Sequence, residues 1–128
     1  MIVVDTSVWI ASFRSATGPE ALHLDALLDA DQVSLAAPVR VEILTGASLS
    51  DRARLRRVLS ALPVLYPTVP TWNLMDSWLD TASRGGRSFG VADLLIGALA
   101  AEQAASVWSL DSDFKEMALL GFLEIHKI

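Results

Sequence analysis

Two short runs with strand character, each ending on a carboxylate, constrain this chain more than any other feature. Ile2, Val3 and Val4 stop at Asp5, and the run over 106–110 stops at Asp111. A run of consecutive apolar or β-branched residues fits a strand buried on both faces, which is the habit of a parallel sheet covered by helices. In an open parallel sheet, ligands bind beyond the C-terminal ends of the strands. Asp5 and Asp111 therefore stand where a site is expected.

The remainder of the chain alternates in the same way. Gly18 and Pro19 open a helix with the stripe Ala21, Leu24, Leu27 and Leu28, and a strand follows at 33–35. Pro38 suits the first turn of a helix reaching about Ala47. Ser50 is the expected cap of the next helix, whose stripe is Leu55, Val58, Leu59 and Leu62. A brief strand is expected at 64–66. Pro70 then starts a helix with Trp72, Met75, Leu79 and Ala82 at core spacing, ended by Gly85 and Gly86. Residues 91–101 read as a nearly all-apolar helix, 113–120 as a helix stopped by Gly121, and 123–125 as a last strand. The first helix runs from a cap at Thr6 or Ser7 to about Phe13. The fold class is α/β, a small parallel sheet flanked by helices, in one domain over 1–128.

Composition narrows the chemistry. With 52 % apolar residues in 128, the chain can bury a core unaided, and the absence of cysteine removes disulfides and thiolate metal sites. The apolar start ends at Asp5 without a basic flank, so neither a signal peptide nor a membrane anchor is expected, and the cytosol is the default compartment. A net charge of −5 is unfavourable for a nucleic-acid binder, but the bases are clustered: Arg40, Arg52, Arg54, Arg56 and Arg57 in one stretch, Arg84 and Arg87 in another. The 52–57 arginines and Arg84 and Arg87 are candidates for gripping phosphates, or else solvated helix faces.

Asp93 is flanked by Val91, Ala92, Leu94, Leu95 and Ile96, so an ionised carboxylate there needs a partner. The partner is a cation bound near the helix N-terminus or a salt bridge to Arg84 or Arg87. Glu42 is a second charge on an apolar helical stretch. Asp5 and Asp111 have a plainer use as helix caps, and Asp113, three residues before Glu116, matches a capping box. Convergent carboxylates without His or Cys form a hard oxygen site suited to Mg²⁺ or Mn²⁺. A divalent cation held beside phosphates supports phosphodiester hydrolysis by water. His23 and His126 have no evident nucleophile partner and are expected at the surface, and no P-loop pattern occurs.

Four blocks in order, Val4-Asp5-Thr6-Ser7-Val8-Trp9-Ile10, Arg40-Val41-Glu42-Ile43-Leu44, Val91-Ala92-Asp93-Leu94-Leu95-Ile96 and Ser109-Leu110-Asp111-Ser112-Asp113-Phe114, resemble PIN-domain ribonucleases, nearest the VapC toxins of toxin–antitoxin pairs. The resemblance spans essentially the whole chain. It implies that Asp5, Glu42, Asp93 and Asp111 hold the metal, with Asp113 either a further ligand or a helix cap. It also implies that the hydroxyls of Thr6, Ser7 and Ser109 position these carboxylates. RNA as substrate, a cognate VapB-like antitoxin that occludes the groove, and a homodimer follow from the same resemblance. Two rival readings use the same fold: a catalytically silent module acting through an antitoxin or RNA, and a phosphohydrolase of small substrates that needs no basic groove.

Overall fold

A computed structural model describes all residues, Met1–Ile128. Five parallel strands, β1 (Ile2–Val4), β2 (Val33–Ala36), β3 (Val64–Leu65), β4 (Ser106–Trp108) and β5 (Glu124–Ile125), lie in the order β3-β2-β1-β4-β5. Seven helices flank them: α1 (Thr6–Arg14), α2 (Pro19–Asp29), α3 (Ala37–Thr45), α4 (Leu49–Leu59), α5 (Val69–Arg84), α6 (Val91–Glu102) and α7 (Ser112–Leu119). The α/β expectation holds. The two carboxylate-terminated runs are neighbours, with Val3 opposite Val107 and Val4 opposite Trp108. No helix is long and apolar enough to cross a membrane.

The central strands are apolar on both faces because both faces are covered. Val3, Val4, Leu35 and Val107 are fully buried, as are Ile96, Ala98 and Ala100 of α6, the helix that packs on β1, β2 and β4. Thr71 of α5, itself buried, donates to Glu102 of α6 at 2.6 Å and so ties the two helices together. Gly97 of α6 has no side chain because none fits: a Cβ there would stand 2.9 Å from Leu123 and 3.3 Å from Met117.

Four helices end in the same way. After α2, α5, α6 and α7 a residue with positive φ reverses the chain: Asp31, Gly86, Ala104 and Gly121. At α6, the amide of Ala104 donates to the carbonyl of Ala101 and that of Ala105 to Ala100, the paired bonds of a Schellman ending. Glycine serves this position at two of the four ends. Asp31 and Ala104 take it despite their Cβ, which is why neither was marked as a helix stop by its residue type.

Several boundaries differ from the sequence reading for local reasons. Of the caps offered for α1, Asp5 is the one used and not Thr6 or Ser7, and Ser48 rather than Ser50 caps α4, accepting from Asp51 N–H at 3.2 Å. β4 stops at Trp108, short of residue 110, because the next amides turn to side chains: Leu110 N–H donates to Ser7 and Asp111 N–H to Ser109. On α5 the buried aromatic is Trp78, which stacks on Phe122 at 4.5 Å, whereas Trp72 and Leu79 are 48 % and 47 % exposed. Met75 and Ala82 are buried as the spacing predicts, while Thr71 and Trp78 take the inward places expected of Trp72 and Leu79. His23 and His126 also depart from expectation. They are half-buried and meet through their Nε2 atoms at 2.9 Å, beside Trp108. Burial, the facing His23 ring and the Met1 ammonium hold His126 below the ordinary imidazole range.

Two stability changes follow. Ile96→Ala empties a fully buried site under the sheet and is expected to cost about 2–5 kcal/mol in urea unfolding. Ala104→Gly relieves a left-handed alanine and is expected to gain up to about 1 kcal/mol. A loss on Ala104→Gly would show that its methyl contacts outweigh the backbone strain.

Candidate metal centre

β1 and β4 bring Asp5 and Ser109 to one level, since each is the residue after the paired Val4 and Trp108. Asp5 is 6 % exposed. Its Oδ2 accepts hydrogen bonds from Ser7 Oγ at 2.7 Å and Ser109 Oγ at 2.8 Å, with the Ser7 amide at 3.4 Å as the α1 cap. Each hydroxyl also accepts a backbone amide, Leu110 N–H on Ser7 and Asp111 N–H on Ser109. One carboxylate oxygen is thus locked by two hydroxyls that are themselves locked by the chain following β4. Oδ1 takes no hydrogen bond and is left for a ligand.

Asp111 repeats the arrangement. Its Oδ1 caps α7 by accepting the Asp113 amide at 3.0 Å, and its second oxygen has no such bond. Capping and ligation, opposed readings in the sequence, are compatible because a carboxylate has two oxygens. The capping box expected at Asp113 is absent: Asp111 is the cap, and Glu116 pairs with Arg87 at 2.7 Å. Asp113 turns instead toward the centre. Oxygens of Asp93, Asp111 and Asp113 lie within 4.8 Å of one another, a spacing one cation can span. Asp5 and Glu42 stand outside this trio. Glu42, in the second turn of α3, accepts Thr6 Oγ1 at 3.1 Å, so neighbouring residues of α1 hold both carboxylates that the trio lacks.

Asp93 feels all of them. Burial first, then the charges of Asp111, Asp5, Asp113 and Glu42, push its carboxyl from 3.8 up to about 6. No arginine relieves it, because Arg87 is engaged by Glu116 and that is the only ion pair in the protein. The donor set is wholly oxygen and crowded with like charge, with Asp111 exposed to solvent. It fits a hard divalent cation.

The arginines divide into different settings. Arg52 donates from Nε to the Leu44 carbonyl at 2.9 Å, closing the C-terminus of α3, and shares a cleft of about 310 Å³ with Arg56. Arg57 and Arg84 are exposed. Arg54 lines a groove of about 680 Å³ between α1, α3 and α4, and Glu42 borders the same groove. Arg14 and Phe13 line it too. Neither attracted notice in the sequence, where nothing marks Phe13 as an exposed aromatic.

A pH dependence follows from Asp93. Its folded value of about 6 exceeds the ordinary 3.8, so between these values the folded, metal-free protein holds more protons than the unfolded chain. Its contribution to stability is present below about pH 4 and is lost as pH rises through 6. Thermal unfolding of the metal-free protein should show that decline, and Asp93→Asn should flatten it. Divalent cation should oppose it, binding more tightly as pH rises through the same window.

The family model for the PIN domain matches residues 2–120. Among curated proteins, VapC ribonuclease Mb1587 of Mycobacterium bovis and ribonuclease VapC11 of Mycobacterium tuberculosis are each 31 % identical over 130 residues, covering 97 % of this chain and 96 % of theirs. Among solved structures, VapBC2 of Rickettsia felis bound to a promoter DNA fragment superposes with a TM-score of 0.80 at 17 % identity, over 98 % of both chains. VapC20 of Mycobacterium tuberculosis, described as a toxin that cleaves the sarcin–ricin loop, superposes at 0.63 with 22 % identity, over 99 % of this chain and 100 % of that one. At these identities the structural likeness speaks for the fold, and the curated relatives speak for the lineage. This chain, with its acidic residues gathered at the C-terminal edge of a five-stranded parallel sheet, belongs to the PIN-domain family and, within it, to the VapC ribonucleases.

Proposed function

We propose that this protein is a metal-dependent endoribonuclease, the toxin of a VapBC-type pair, hydrolysing RNA phosphodiester bonds in the cytosol. The observation that carries the reading is the trio Asp93, Asp111 and Asp113, with Asp93 driven up to about 6 by carboxylates it cannot escape. Such crowding is costly without a cation and useful with one. In this reading Asp93, Asp111 and Asp113 hold Mg²⁺ or Mn²⁺, with Asp5 offering its free Oδ1 and Glu42 either joining them or orienting water. When bound, the cation supplies Lewis acidity at the phosphate and at water, and neutralises charge on the leaving oxygen.

The chain's own groups prepare that step. Asp93 gives up its proton before it ligates, which sets the acid limit. Ser7 and Ser109 keep Asp5 from rotating, and Thr6 does the same for Glu42. Arg52, Arg54, Arg56, Arg57, Arg84 and Arg87 were all candidates for the RNA backbone. Arg54, beside Glu42 in the groove, is the best placed of them, whereas Arg52 and Arg87 already serve internal contacts. A VapB-like antitoxin, supported by the VapBC complexes among the solved structures of this fold, and a homodimer, implied by the family resemblance alone, complete the reading.

Purified protein free of antitoxin should cut cellular RNA at discrete sites with Mg²⁺ or Mn²⁺, and lose cutting with EDTA or on Asp93→Asn. Intact RNA despite demonstrated metal binding would favour the silent module. Ser109→Ala removes one of the two hydroxyls on Asp5 and is expected to weaken Mn²⁺ binding by about 10–100-fold, while Ser109→Thr keeps it. Equal Mn²⁺ affinity for both variants, by calorimetric titration, would remove Ser109 from the site.

A further inference from the structure

We propose that His23 and His126 form a proton-operated latch, which holds the C-terminal segment against α2 while a single proton lies between the facing ring nitrogens and opens when a second one arrives. The inference is independent of the nuclease reading and concerns a part of the molecule outside the metal centre.

The two rings face each other through Nε2 atoms 2.9 Å apart, with ring centres 5.2 Å apart and planes inclined by 20°. Centres so far apart allow so short a nitrogen separation only when both nitrogens lie near the line joining them. The rings therefore meet edge to edge and not face to face, although their planes are nearly parallel. Such a contact is an N–H···N hydrogen bond, in which one nitrogen donates and the other offers its lone pair. A ring that takes up one proton still donates to a neutral partner. Two protonated rings set N–H against N–H and two positive charges side by side, so the bond survives the first proton and not the second. Groups this close titrate as a pair.

The surroundings leave the second proton without compensation. His23, on α2, meets Trp108 of β4 edge-on with ring centres 4.8 Å apart, and His126 lies 6.0 Å from the same ring. Burial, the His23 ring and the Met1 ammonium all oppose a proton on His126. Glu20, one turn before His23 on α2, and Glu124, two residues before His126, pair with neither ring, since Arg87 and Glu116 form the only ion pair. Lys127 adds a further positive charge beside His126. The segment that the latch holds has few other ties: β5 spans two residues at the edge of the sheet, and the His126 amide extends it by one bond to the Val107 carbonyl at 2.8 Å. Short edge elements of this kind open locally before the core does. Because folding lowers His126 from its ordinary 6.5, the unfolded or opened chain binds more protons below that value. The contribution of the latch is complete above the ordinary value and is lost as pH falls, opposite in sign to that of Asp93.

The test is amide hydrogen exchange in the full-length, metal-free protein from about pH 8 to about pH 5, the range of histidine titration. It is read at the His126 amide as protection over the intrinsic rate, with the Ile96 amide of α6 as the core reference. Wild-type protection at His126 should fall by up to about tenfold per pH unit on the acid side, the response to one proton taken up on opening, while Ile96 stays protected. His23→Gln and, separately, His126→Gln keep a hydrogen bond to the remaining ring and cannot acquire a second charge, so protection at position 126 should stay high and lose its pH dependence. His23→Ala removes the bond without touching the C-terminal segment and should leave that amide poorly protected throughout the range. Constant wild-type protection, or a fall of the same size in His23→Gln, would overturn the latch. A parallel fall at Ile96 would overturn it as well, by assigning the response to global unfolding.

Discussion

The parallel pairing of β1 with β4 is the contact on which the rest of the site depends. Because Val4 lies opposite Trp108, Asp5 and Ser109 emerge from the sheet at one level, and the Ser109 hydroxyl reaches the Asp5 carboxylate. The same register lets Ser7 meet the amide of Leu110. A slip of one residue would turn every side chain to the other face of the sheet and dismantle the network. Burial of Val3, Val4 and Val107 on both faces prevents that slip, so the hydrophobic core and the polar site are set by one register.

Around this pair the molecule assembles negative charge at a place that ordinary folding energetics would avoid. Asp93 enters from α6, Asp111 and Asp113 from the start of α7, and Glu42 from α3. The crowding is tolerated because helix N-termini offer partial positive charge to Asp93, Asp111 and Asp113, and because hydroxyls take up one oxygen of Asp5 and one of Glu42. These devices leave other carboxylate oxygens without partners. The resulting strain falls on Asp93, which retains a proton to about pH 6, and a divalent cation relieves it. Stability and activity are thereby opposed in the metal-free protein and reconciled on metal binding.

The acidic balance of the chain conceals a division of its cations. Arg52 closes the end of α3 and Arg87 ties the segment before α6 to α7, so both are spent on architecture. Arg14 and Arg54 lie on different helices, far apart in sequence, yet line one groove beside Glu42. Asp51 lines that groove as well, so its two arginines face two carboxylates and its formal charges balance.

Much of this architecture was legible in the residues themselves. Consecutive apolar positions at 2–4 and the Val107-Trp108 pair specify strands covered on both sides, and the carboxylates after them and at Asp93 mark a cation site beside their plainer readings as helix caps or an ion pair. Those are properties of local chemistry, and local chemistry is written in the chain. Tertiary structure decided what depends on distance. It made Asp5 and Asp111 caps and open carboxylates at once, drew Asp113 away from a capping box into the trio, and paired His23 with His126 across the fold. It also placed Arg14 and Phe13 beside Glu42. No pattern of spacing contains these outcomes, because each joins segments whose separation is set only when the sheet closes its order and the helices pack upon it.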